Sequence, residues 1–265
     1  MQTIIDIYSN NAAFQLLEAA KHNRNKRHRQ GYFIIEGVKA IDLALARGWP
    51  IEGALHARDK ALSRWAEAIL RQAPKVYRLP PELMARLSDK EETSELLVLG
   101  RTQQTPPAAL CADNGLFLLL DRPASPGNLG SVIRSADAFG ANGLLISGHS
   151  ADLFDPQTVR ASIGTLFTLP CACIEGPEAL IAFRAQNPGI RLIGTSAKGE
   201  MPIDQVDLTA PTLLLMGNET SGLSRGYKAL CDVLATIPIQ GAASSLNLAS
   251  AASICLYEAA RQRNR

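Results

Sequence analysis

The chain has 265 residues, 46% of them apolar, and its 27 Lys and Arg against 25 Asp and Glu leave a net charge of +2. That length suits two domains rather than one small one, and the lack of any long uncharged apolar run argues against a membrane-spanning helix. Near-neutral charge removes any whole-chain attraction to polyanions, so only local clusters bear on partners.

The first residues, Met1-Gln-Thr-Ile-Ile-Asp, lack the charged-then-apolar pattern of a signal peptide, which points to the cytoplasm. Residues 12–21 read as a short helix with Phe14 and Leu17 on one face. A basic segment follows, in which Lys21, Arg24, Lys26, Arg27 and Arg29 crowd together with His22 and His28. Such a cluster suits contact with phosphates; a solvated loop after a helix explains it equally well. Residues 32–36 form a short apolar strand, and Gly37 opens a helix to residue 47. A strand over 51–56, a helix over 59–71 capped by Asp59, a strand over 76–79, a helix over 81–87 and a strand over 96–99 complete an alternating α/β unit. The polar stretch 101–112, with Thr105-Pro-Pro, reads as a restrained linker, giving domains of 1–105 and 113–265.

The second unit opens on Gly115-Leu-Phe-Leu-Leu-Leu-Asp121, a continuous apolar run of the kind a buried parallel strand shows. Helices are expected up to residue 139 and over 155–163, 178–186 and 223–230. Strands are expected over 143–147, 166–171, 190–195, 212–216 and 233–237. Strand and helix alternate, which argues for a parallel sheet with helices on both faces. The five cysteines are an odd count, and Cys171 and Cys173 lie too close together, without other ligands, for a normal zinc site; reduced thiols and no metal are expected.

Ligands of such sheets bind beyond the carboxyl ends of the strands. Asn128, Gly130 and Arg134 follow the first strand end, near a helix N-terminus that favours an anion. The glycine spacing is wrong for a dinucleotide fingerprint. Gly217-Asn-Glu219 ends another apolar strand in a tight polar turn, and Gly194-Thr195-Ser-Ala-Lys-Gly199 ends a third. Ile237-Pro-Ile-Gln-Gly241 leads through Ser244 and Ser245, either able to cap a helix, into Leu246, Asn247 and a small-residue helix. That loop and helix start read as a cofactor-holding element.

Asn128-x-Gly130-x-x-x-Arg134 with Phe139-Gly140, then Gly217-Asn-Glu219-x-x-Gly222-Leu223, then Ile237-Pro-Ile-x-Gly241 with Ser245-Leu-Asn247, together resemble the three motifs of the SpoU (TrmH-like) RNA ribose 2′-O-methyltransferases. The resemblance runs from about Leu116 to the C-terminus, and Phe33-Ile-Ile-Glu-Gly37 is similar to the start of a ribosomal-protein-like substrate-binding domain. It implies an α/β fold of the SPOUT superfamily, with a trefoil knot in a C-terminal parallel-sheet domain, a small N-terminal α/β domain, S-adenosylmethionine as methyl donor, and a homodimer. It further implies that Thr195, Gly217, Ile237 and Leu246 bind the cofactor, and that Asn128, Arg134, Glu219, Ser245 and Asn247 face the reacting centre. Two positions depart from the pattern: Thr220 replaces a common Gly, and Ala243-Ser244 replaces a common acidic residue. The implied substrate is ribosomal RNA; transfer RNA, or RNA binding without catalysis, are the alternatives.

Overall fold

A computed structural model describes residues 2–264 of the chain. In chain order the strands are β1 (Thr3–Asp6), β2 (Tyr32–Glu36), β3 (Ile51–Ala57), β4 (Lys75–Leu79), β5 (Leu96–Arg101), β6 (Leu116–Asp121), β7 (Gly143–Ser147), β8 (Cys171–Ile174), β9 (Arg191–Thr195), β10 (Met201–Pro202), β11 (Thr212–Met216) and β12 (Val233–Thr236). The α-helices are α1 (Ala12–His22), α2 (Arg24–Gln30), α3 (Val38–Ala46), α4 (Arg64–Gln72), α5 (Pro81–Leu87), α6 (Pro126–Ala138), α7 (Pro156–Ser162), α8 (Pro177–Gln186), α9 (Arg225–Leu230) and α10 (Leu248–Arg263). They fall into two units: residues up to Gln103 with Asp152–Phe167, and Gln104–Ala151 with the chain from Thr168 onward.

The first unit is a mixed sheet of order β1-β4-β3-β5-β2, in which β4 runs parallel to both neighbours and β5 antiparallel to both of its own. Its core gathers Phe14, Leu17, Ile34, Leu55, Leu79 and Leu97. Sequence alternation does not announce β1, a four-residue edge strand whose side chains are mostly exposed. The basic segment is not a loop. Asn23 accepts from the Lys26 N–H at 2.9 Å and caps α2, and Gly31 closes it in the left-handed conformation. Asp59 does not cap α4 but sits at φ 57° in the preceding turn. The helix starts later, at Ser63, whose hydroxyl accepts from Ala66 and is itself held by Glu95.

The expected strand over 166–171 is also displaced. Ile163 and Gly164 take left-handed backbone, a 3₁₀ turn covers Thr165–Phe167, and β8 begins only at Cys171. Leu166 and Phe167 are buried in the first unit, where the Phe167 ring meets Trp49 edge-on at 5.1 Å. One apolar run therefore serves two cores.

The second unit is a seven-stranded sheet, β10-β12-β9-β11-β6-β7-β8, with every neighbouring pair parallel. All six residues of β6 and all five of β11 are buried, as strands covered on both faces require. The core includes Leu119, Leu145, Phe183, Leu192, Leu215 and Tyr227. Helix α10 buries Ala252, Cys255, Leu256 and Ala259 on one side and meets α6 through Ser253 and Ser135, whose hydroxyls lie 2.8 Å apart. Its end is anchored by Arg263, which donates to the carbonyls of Leu208, Asn114 and Ala210.

Candidate active site at the strand ends of the parallel sheet

Strands β6 and β11 run side by side with Leu120 opposite Met216, and β9 pairs β11 on its other side with Gly194 opposite Leu215. Their three following loops therefore leave the sheet together, and β12, beside β9, delivers the fourth. Parallel pairing is what turns segments far apart in sequence into one site.

Glu219, in the loop after β11, accepts from the Asn128 side-chain amide at 2.9 Å and from the backbone N–H groups of Ala124 at 3.1 Å and Ser125 at 3.4 Å. Asn128 uses its remaining oxygen to accept from the Asn247 amide at 3.0 Å. Asn247 in turn accepts from Ala249 and Ser250 and is the N-cap of α10. The cap is thus Asn247 rather than Ser244 or Ser245, which stay exposed one turn earlier, because the helical backbone begins only at Leu248. Three residues from three strand ends form one continuous hydrogen-bonded chain. Burial pushes the Glu219 carboxyl up, but the Asn128 amide and the backbone donors outweigh it and hold the group below its ordinary value. Glu219 is therefore ionised at neutral pH with its oxygens already engaged, which suits holding Asn128 in place better than taking up a proton.

The loop that carries Glu219 is locked by residues that local sequence reading passed over. Asp121, buried at the end of β6, pairs with the Arg122 guanidinium through both oxygens at 2.8 and 3.0 Å and accepts from Ser224 N–H at 2.7 Å. Arg122, at φ 55°, receives the Asn218 amide on its carbonyl at 2.8 Å and donates to Gly222 O at 3.3 Å. Asn218 Oδ1 closes the turn by accepting from Thr220 and Ser221. Burial raises the Asp121 pKa, yet Arg122 and Ser224 more than compensate and keep it low. Gly217 permits the tight return of this loop, since a Cβ there would lie 2.1 Å from Leu223 N. Thr220 needs no left-handed backbone and fits the turn. The available signal was Asp-Arg at a strand end together with an Asn in the opposing turn.

Beside this network lies a cavity of about 530 Å³, lined by Thr195, Gly217, Ile237, Ser245 and Leu246 among others. The volume is in the range of small-molecule sites. Thr195 Oγ1 donates to Leu215 O at 3.1 Å, so its hydroxyl also fixes the cavity floor to β11. Met216, Leu223 and Leu248 are among its apolar lining residues, and Ser196, Asn218 and Ser221 among its polar ones.

Arg134 is exposed on α6 and, among the described residues, has no carboxylate partner. Arg27 is its opposite. It is 1% exposed and donates to Asp152 at 2.7 Å, to Asp155 at 3.3 Å, and to the carbonyls of Ala20 and Lys21 at 2.9 and 2.8 Å. Lys21 is likewise buried, 3.0 Å from Asp89 and donating to Ser88 O at 2.8 Å. The structure corrects the expectation for these two: both cations are satisfied internally and present nothing to a phosphate. Arg24, Lys26 and Arg29 remain on the surface. Burial pushes the Cys255 thiol up to about 12 and Cys231 to about 11, so neither is a nucleophile at neutral pH.

The SpoU rRNA Methylase family model matches residues 115–257, and the SpoU L30e-like domain model matches residues 11–98. The chain is 44% identical over 266 residues to the 23S rRNA (uridine(2479)-2′-O)-methyltransferase of Streptomyces viridochromogenes, covering 97% of this chain and 92% of that one. The crystal structure of the SpoU methyltransferase AviRb from the same organism, in complex with the cofactor AdoMet, superposes with a TM-score of 0.90 at 43% identity, over 96% of this chain and 99% of that one. An AdoMet-bound rRNA methyltransferase from Sinorhizobium meliloti gives a TM-score of 0.87 at 29% identity, over 97% and 98% of the two chains. With three motif segments joined in one network beside one cavity, and both domain models matched, the chain belongs to the SpoU methylase family.

Proposed function

We propose that the chain is an S-adenosylmethionine-dependent methyltransferase that modifies a ribose 2′-hydroxyl of ribosomal RNA. The observation that carries this reading is the Glu219–Asn128–Asn247 chain at the edge of a cavity lined by Thr195, Gly217, Ile237 and Leu246. The cavity suits the cofactor in size and in its mix of apolar and polar lining residues, and the AdoMet complex of the Streptomyces relative supports that occupant. When bound, the cofactor supplies an electrophilic methyl group on a sulfonium.

The protein's part is to bring the hydroxyl into line and ease loss of its proton. Asn128 and Asn247 are held by Glu219 and by the start of α10, so their polar atoms are fixed before substrate arrives. Ser245 lines the same cavity, which supports a role for its hydroxyl beside the transfer. Arg134 offers a planar guanidinium with five N–H donors and no acceptor. It stabilises the developing alkoxide and clamps a neighbouring phosphate, which itself accepts the proton. Lys26, Arg29 and Arg24 offer a smaller electrostatic contact to RNA. Ile254 and Tyr257, 40% and 56% exposed on α10, supply an apolar face for a second copy of the chain, so a homodimer belongs to the proposal, as do the C-terminal trefoil knot and cytoplasmic residence. No helix among the described residues is long and apolar enough to cross a membrane.

Mapping of ribose methylation over total cellular RNA, with and without the gene, tests the reading. One ribosomal 2′-O-methyl mark should vanish. A lost transfer-RNA mark would move the substrate, and no lost mark with no S-adenosylmethionine binding by calorimetry would end the enzyme reading.

A further inference from the structure

The cavity beside the network carries an uneven charge. Its one acidic lining residue is Glu219, and that carboxylate is turned toward Asn128, Ala124 and Ser125. Two lysines, Lys198 and Lys228, line the same cavity and have no carboxylate partner among the described residues. Lys198 sits on a fixed turn. Its N–H donates to Ser196 Oγ at 3.2 Å, Ser196 N–H reaches Ala235 O at 2.9 Å, and a Cβ on Gly199 would lie 2.4 Å from the Ala235 carbonyl carbon. This turn follows β9, whereas Asn128 follows β6, and the two strands flank β11 on opposite sides. Lys228 stands on α9, beyond the loop that bears Glu219. The turn that bears Lys198 and the segment that bears Asn128 therefore leave the sheet on opposite sides of β11.

We infer that Lys198 and Lys228 form the subsite for the α-carboxylate of the cofactor's amino-acid arm. The inference rests on the cofactor reading above. The carboxylate is the only anion that S-adenosylmethionine carries, and two unpaired ammonium groups are its natural complement. With the methyl group toward Asn128 and Asn247, the amino-acid arm turns toward the lysines. The other charges of the ligand, the sulfonium and the α-ammonium, are both positive and gain nothing from them. The pair therefore discriminates for the carboxylate in particular.

The test is calorimetric, on the full chain, and needs no turnover. S-adenosylhomocysteine is compared with its decarboxylated analogue, 5′-deoxy-5′-(3-aminopropylthio)adenosine, in the wild type and in Lys198→Gln/Lys228→Gln. The wild type should bind S-adenosylhomocysteine about tenfold more tightly than the analogue, as charge-assisted hydrogen bonds of ordinary strength provide. The double variant should lose that tenfold and bind the analogue as the wild type does. Equal losses on both ligands, or none on either, overturn the assignment. So does a variant whose affinity for a 23S rRNA transcript falls while S-adenosylhomocysteine binding holds, since the lysines would then serve a substrate phosphate. If the wild type bound neither small ligand, the cofactor reading itself would fall; if it bound both equally well, only the lysine subsite would.

Discussion

Helix α2 in the first unit and helix α6 in the second each carry an arginine that RNA binding would recruit, and the fold uses the two in opposite ways. Arg27 is enclosed, its guanidinium shared among two carboxylates and two carbonyls. Arg134 stands exposed with no carboxylate partner among the described residues. A guanidinium that is fully paired stabilises the fold and is lost to ligands. One left unpaired contributes little to stability and remains available to a phosphate or an alkoxide. Stability and activity should therefore separate cleanly between the two positions.

The largest effect is expected at Arg27. Arg27→Ala leaves Asp152 buried without its main partner, and breaking such a pair costs about 3–5 kcal/mol. Guanidinium unfolding should show a midpoint far below that of the wild type; an unchanged midpoint would break the contrast. Arg134→Ala should leave the unfolding midpoint nearly untouched but lower kcat/KM for RNA methylation about 100-fold, the usual scale for losing one preorganised charge stabiliser. Arg134→Lys should not restore the rate, because Lys lacks the planar fork; full activity in that variant would remove the geometric role. Asn247→Ala joins the two readouts. It removes the cap of α10, at about 1 kcal/mol, and also frees Asn128, so thermal stability and kcat should fall together. If only stability moved, Asn128 would not depend on Asn247.

Smaller effects come from pH and from the exposed cations. The folded pKa values of Asp121 and Glu219 lie below their ordinary ones. Each contribution to stability is therefore fully present above the unfolded value of about 4 and is lost as pH falls below it. Unfolding free energy measured from pH 7 downward should stay level for these groups to about pH 5, then decline. In Asp121→Asn/Glu219→Gln the decline should be shallower, and an identical slope would show that the two carboxylates are not linked to folding. Lys26→Ala/Arg29→Ala should change stability by less than about 0.5 kcal/mol. The same double variant should weaken RNA binding only a few-fold and flatten its salt dependence; an unchanged salt slope would take α2 out of the RNA interface.

The elements built from local pattern were legible. Continuous apolar runs gave β6 and β11, and glycine with Asn or Glu at their ends gave the segments that the fold then joins. Pro, Gly and alternation gave the parallel character of the second sheet. Legibility failed where a residue's partner is distant in sequence. Arg27 looks like its neighbours until Asp152, 125 positions away, is set against it. Asp121 and Arg122 read as a strand end until Gly222 and Ser224 return to them across about 100 residues. The run 166–171 looks like one strand until its first half is drawn into another core.

By itself, then, the sequence determined the long buried strands such as β6 and β11, which strand ends carry polar chemistry, and which family those ends resemble, because short-range sterics and hydrophobic periodicity act within a few residues. Only the tertiary structure decided which cations are neutralised, which carboxylates hold a loop rather than take a proton, and which charged residues come together at one cavity. Those properties follow from distances between groups remote along the chain, and Coulomb and hydrogen-bond energies depend on distance in space, not on separation in sequence.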